Sequence, residues 1–165
     1  LIAGENTNNI NDGARNTADR EIVITRVFDA PRELVWEARI SPKHIALWWG
    51  PNGFTTTIHE MDVRPGDVWR FIMHGPDGND YPNKIVYSEV VKPERLVYAH
   101  GGDGDSDDVA FNVTVSFIDE GGKTRLTMRS LFKSAAERDK VVKEYGAIEG
   151  GNQTLARLAE FLARM

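Results

Sequence analysis

Apolar and polar positions along this chain fall into two alternating regimes, and the switch between them marks out the elements. From Glu21 the run EIVITRVF sets Ile22 and Ile24 against Val23 and Thr25, a β-branched alternation that predicts a strand over 21–28. The spacing then turns helical. Asp29 is the expected N-cap of a helix with Pro31 in its first turn, and PRELVWEARI gathers Leu34, Val35 and Ala38 on one side. Ser41-Pro42 interrupts it and opens a second short helix carrying His44, Ile45, Leu47 and Trp48. Trp49-Gly50-Pro51-Asn52-Gly53 is a turn segment.

From Phe54 the period returns to two. Strands are predicted at about 54–62, 67–74, 83–91, 94–100, 109–118 and 123–132, separated by turn-forming stretches such as Arg64-Pro65-Gly66-Asp67 and Glu120-Gly121-Gly122. Connections this short imply antiparallel neighbours in a meander. Ser134 to Glu144 is a short polar helix, and Gly146 to Gly151 interrupts the chain. NQTLARLAEFLARM then closes it, with Leu155, Leu158, Ala159 and Leu162 in one apolar stripe. The predicted class is α+β: a curved antiparallel sheet of about seven strands wrapped around a long C-terminal helix, with two short helices between the first two strands.

Phase within the strands says which side chains meet that helix. Trp69, Phe71 and Met73 alternate with Arg70 and His74; Val109, Phe111, Val113, Val115 and Phe117 alternate with Asn112, Thr114 and Ser116; Leu126 and Met128 alternate with Arg125, Thr127 and Arg129. An apolar face opposite an apolar helix is a packed core in most proteins. Here one helix fills the middle of a long curved sheet but not both its ends. Space is therefore expected near the two short helices, where Trp48 and Trp49 would form a lid. Trp36 is expected to pack its helix onto the sheet.

Composition narrows the function. Hydrophobic residues make up 41% and charged residues 27% of the 165-residue chain, ordinary values for a domain with its own core. With no cysteine, thiolate metal sites and cysteine nucleophiles are excluded, and a cytoplasmic setting is expected. The net charge of −5 comes with no basic stripe, which argues against nucleic acid as a partner. No apolar run approaches the roughly 20 residues of a membrane span. Residues 1–20 are Asn-rich and polar, the expected disordered tail of a single domain over 21–165.

The stretches REIVITRVFDAPRELVWEARISPKHIALWWGP, DVRPGDVWRFIMHGPDG and VYSEVVKPERLVY resemble the START-like (SRPBCC) helix-grip superfamily. Within it they are similar to the Aha-type subfamily, named for an activator of a heat-shock chaperone ATPase. Ala30-Pro31, Trp48-Trp49-Gly50-Pro51, Arg64-Pro65-Gly66 and Pro93-Glu94-Arg95-Leu96, in that order, carry the resemblance. It covers the chain from about Glu21 to the C-terminus. Asn152 stands where the family often has an aromatic. The resemblance implies a deep apolar cavity under the last helix. Relatives include lipid and hormone carriers, polyketide cyclases and chaperone regulators, so the fold alone does not select a function.

Signals for specific chemistry are weak. Gly121-Gly122-Lys123-Thr124 lacks the earlier glycine of a phosphate loop, having Phe117 there, and reads as a hairpin turn. Asp103, Asp105, Asp107 and Asp108 depart from calcium-loop spacing at Asp108 and Thr114. His44, His59, His74 and His100 form no ligand pair, so neither metal nor cofactor is expected. No nucleophile–base pair can be assembled.

The leading expectation is a binding module for an apolar or aromatic small molecule. Its expected contacts are Trp48, Trp69, Phe71, Met73, Tyr98, His100, Phe111, Val113, Met128, Leu155 and Leu158. A cyclase or aromatase using Tyr98 or His100 in the same cavity is one alternative, and regulation of a chaperone ATPase is another. The exposed sheet edges leave a homodimer open.

Overall fold

A computed structural model describes residues 17–103 and 109–165. Most of the tail expected over 1–20 and most of the aspartate-rich loop, including Asp105, Asp107 and Asp108, lie outside the described residues, as does the side chain of Val109. Thr17–Arg20 form a turn ahead of the first strand, and Arg20 donates to the Phe132 carbonyl at 3.1 Å.

The elements run β1 (Glu21–Phe28), α1 (Arg32–Ile40), α2 (Pro42–Ile45), β2 (Thr55–Met61), β3 (Val68–His74), β4 (Asp80–Val91), β5 (Arg95–Gly102), β6 (Val109–Glu120), β7 (Lys123–Phe132), α3 (Ala135–Tyr145) and α4 (Ala147–Arg164). The strands form one seven-stranded antiparallel sheet in the order β1-β7-β6-β5-β4-β3-β2. The meander therefore runs from β2 to β7, and β1 is laid beside the last strand. Register shifts at Ile58/Glu60, Tyr87/Glu89 and His100/Gly101 are bulges, which bend their strands and deepen the sheet's concave face.

That concave face is covered by helices. α1 packs on β6 and β7, and α4 packs on β1, α1 and α3. Trp36 is fully buried with its ring edge-on to Phe117 at 5.2 Å between centroids, the anchoring role its place in the sequence predicts.

Three local expectations are corrected. Asp29 does not cap α1; Pro31 occupies that position in an extended conformation, and its carbonyl accepts from the Leu34 and Val35 amides. α2 ends at Ile45, leaving Leu47 exposed in the turn that follows. Gly146 to Gly151 is no interruption, because α4 begins at Ala147 and runs straight through Gly150-Gly151. Gly146 alone breaks the helix. At φ 58° it takes the left-handed conformation that ends α3 and starts α4. Gly151 stays helical because packing outweighs its propensity cost of about 1 kcal/mol. A Cβ there would overlap Ile24 Cδ1, so glycine is what allows α4 to lie this close to β1.

Candidate functional site

The floor of the site consists of rows of side chains set by strand register. Ile22, Ser130, Val113 and Tyr98 stand side by side across β1, β7, β6 and β5. The next row is Ile24, Met128, Val115 and Leu96. On the other side Phe132, Phe111 and His100 line up, with ring centroids 5.0 and 4.8 Å apart. Above this floor, α4 contributes Leu155 and Leu158 toward its middle but only Ala147, Gly150, Gly151 and Thr154 in its first two turns. Small residues over a broad floor leave a void. A cavity of about 240 Å³ lies there.

One wall is the Trp48–Pro51 segment, which α4 holds in place. Arg157 Nη1 donates to the carbonyls of Gly50 at 2.8 Å and Pro51 at 3.0 Å, and Gln153 Oε1 accepts from the Asn52 amide at 3.1 Å. Trp48 is fixed from behind by its Nε1, which donates to the Ala38 carbonyl at 3.1 Å. The rim lies at the α3–α4 junction, where Tyr145 is 70% exposed.

Of the residues expected from sequence, Trp48, Met73, Tyr98, His100, Phe111, Val113, Met128, Leu155 and Leu158 line this cavity. Trp69 and Phe71 do not. Their rings stack on each other at 4.1 Å, and Trp49 stands edge-on over them at 5.1 and 6.2 Å, which shuts them off from the void. They support the lid instead of touching the space beneath it. His74 faces outward as its phase requires, bonded to Thr57 Oγ1 at 2.8 Å and to Asp80 at 2.7 Å. Asn152 is exposed and returns its side chain to the Ile148 carbonyl.

Sequence reading missed the most polar residue of the wall. Arg39, in the last turn of α1, is 2% exposed and lines the cavity. Its guanidinium lies 4.7 Å from the Trp49 ring centroid, 5.4 Å from that of Tyr98 and 5.9 Å from that of Trp69. Nη2 donates to the Tyr98 hydroxyl at 2.9 Å, while Nη1 is buried without a hydrogen-bond partner. Among the described residues no carboxylate pairs with it, and no Asp or Glu lines the cavity. Cation–π contacts contribute about 0.5–2 kcal/mol, whereas taking an unpaired ion out of water costs several kcal/mol. The charge is softened but not neutralised. A signal existed in the sequence: Arg39 follows Val35 at i+4, so it shares the buried face of the helix.

The same charge and burial tune its neighbours. Burial pushes the His100 imidazole down to about 4, and the Arg39 guanidinium acts in the same direction. Asn83 donates its Nδ2 to the Tyr81 carbonyl at 2.8 Å, which turns its Oδ1 toward His100 Nε2 at 2.9 Å. The neutral ring therefore carries its proton on Nε2. Burial raises the Tyr98 phenol, with Arg39 opposing, and raises Tyr87 to about 12. Tyr87 Oη sits near the guanidinium but outside hydrogen-bonding geometry. At neutral pH the site thus holds one cation, neutral phenols and a neutral imidazole.

No helix among the described residues is long and apolar enough to cross a membrane. Among these residues no cluster of His, Cys, Asp or Glu is arranged to hold a metal ion.

A seven-stranded antiparallel sheet curved around a long C-terminal helix, with two short helices after the first strand, defines a helix-grip domain of the START-like class. Residues 29–163 match the model of the family described as activator of Hsp90 ATPase homolog 1-like protein, and the chain belongs to that family. Solved bacterial structures share the fold. A crystal structure from Mycobacterium smegmatis is 25% identical, covers 88% of this chain and 92% of its own, and superimposes with a TM-score of 0.81. A solution structure from Arthrobacter aurescens is 24% identical over 89% of this chain and 88% of its own, with a TM-score of 0.80. A crystal structure from Nitrosomonas europaea is 24% identical over 89% and 96%, with a TM-score of 0.77. No curated protein matches the chain.

Proposed function

We propose that this domain binds an apolar small molecule in the cavity between the sheet and α4. One observation carries the reading. Where a domain of this size would ordinarily fill its interior, about 240 Å³ is left open behind walls that are mostly aliphatic and aromatic. An apolar void of about 150 Å³ is already enough to hold benzene. A site somewhat below the roughly 300 Å³ lower bound of drug-sized pockets suits a compact ligand, such as a medium-length acyl chain or one or two fused rings. The reading concerns binding and assigns no turnover.

Met128 is the residue through which to test it, because it stands on the floor between Ile24 and Val115 with its side chain half-buried against the void. Met128→Trp should fill the space and abolish binding of compact apolar ligands, followed by methyl NMR titration, while the protein stays folded. Unchanged affinity in a folded variant would count against the cavity as the binding site.

A further inference from the structure

Arg39 has no counter-charge, and this says something about the occupant. Every other charged side chain of α1 and α2 can reach solvent, yet this guanidinium is buried among the rings of Trp49, Trp69 and Tyr98. Arginine keeps its charge even when buried. Nη1 has no acceptor, and no Asp or Glu among the described residues supplies one. Tyr98 Oη already accepts from Nη2, so the hydroxyl proton is free to be donated elsewhere. Arg39 Nη1 and the Tyr98 hydroxyl, two donors on hydrogen-bonded residues of the cavity wall, therefore have no acceptor in bonding geometry, the nearby Tyr87 Oη lying outside it.

A carboxylate matches that arrangement. It brings the missing charge, its two oxygens accept from adjacent donors, and charge-assisted bonds of this kind are the strong ones. Most of the rest of the wall is apolar, with Val113 and Met128 on the floor below the small residues of α4, and its polar members His100, Ser130 and Thr154 carry no charge at neutral pH. We infer that the cavity's ligand is an apolar carboxylic acid, its carboxylate on Arg39 and Tyr98 and its hydrocarbon body along the floor. This rests on the cavity being a binding site and goes further by fixing the chemical class of the occupant.

The test uses matched probes on the whole chain at pH 7, where carboxylic acids are ionised. Octanoate is compared with octanol, and 3-phenylpropionate with 3-phenylpropanol, by calorimetric titration. Each acid is expected to bind at least about tenfold more tightly than its alcohol. Arg39→Met is expected to erase that preference while keeping affinity for the alcohols. Should that variant fail to fold, the acid-to-alcohol ratio in the unmodified protein still decides. Equal or tighter binding of the alcohols would overturn the inference and leave the apolar binding site standing. Failure of both acids and alcohols would overturn both. Acetate binding as tightly as octanoate would also overturn it, since Arg39 would then hold a free small anion unconnected with the apolar space.

Discussion

Two helices cover the same concave sheet face, and they do so in opposite ways. α1 packs on the sheet with the Trp36 indole against Phe117, and its Val35, Trp36 and Ala38 side chains are fully buried. The first turns of α4 approach β1 closely through Gly151, yet across the rest of the floor they leave about 240 Å³ open. The sheet is apolar beneath both. What differs is the side chain that the helix brings down: a tryptophan in one place, alanine and glycines in the other. A glycine lets a helix come nearer at one point and takes away the volume that would fill the space beside it. Close backbone approach and an open cavity thus have the same origin.

The sharpest way to break this comparison is to truncate one side chain in each region. Trp36→Ala opens a sealed void and should cost about 3–5 kcal/mol, read from urea denaturation with an unchanged m-value. Met128→Ala only enlarges a void that already exists, and should cost about 1 kcal/mol, below the usual range for a packed methionine. Equal losses would mean that the α4 side is as well packed as the α1 side.

Acid should then act on the hollow region through His100. Its folded value of about 4 lies below the 6.5 of an unperturbed histidine, so the unfolded chain takes up the proton first. The contribution is whole above pH 6.5 and drains away as pH falls toward 4. The full shift would correspond to roughly 3 kcal/mol, and access of the ring to the cavity should reduce this to about 1–2 kcal/mol. His100→Asn should flatten the stability profile between pH 6.5 and 4, and an unaltered slope would place the proton uptake elsewhere.

The smallest effect separates two adjacent glycines. Gly150→Ala would place its Cβ 3.5 Å from Pro51, an ordinary contact, and should gain about 0.5–1 kcal/mol from helix propensity. Gly151→Ala has the same propensity gain but must displace Ile24, so its melting temperature should stay near that of the parent or fall below it. Equal gains at both positions would show that α4 does not need the glycine to reach β1.

Legibility followed period. The alternation in 109–118 and 123–132 placed Val113 and Met128 on the inner face, where the cavity meets them. The same logic put Trp69 and Phe71 on that face, and they are there, but Trp49 sits over them. Phase decides which way a side chain points and is silent on what lies above it. Gly150-Gly151 read as a break because propensity is local, whereas the contact with Ile24 that holds them helical comes from a strand more than a hundred residues earlier.

By itself, the sequence determined the element order, the antiparallel meander, the inner face of three of the strands and the apolar stripe of the last helix. Each of these depends on periodicity and turn chemistry within a few residues. Only the tertiary structure decided that the helix passes through its glycines onto β1, that the lid stands over Trp69 and Phe71, and that Arg39 turns inward beside Tyr98 without a counter-charge. Those outcomes depend on volumes and charges brought together from distant parts of the chain, and no local pattern records them.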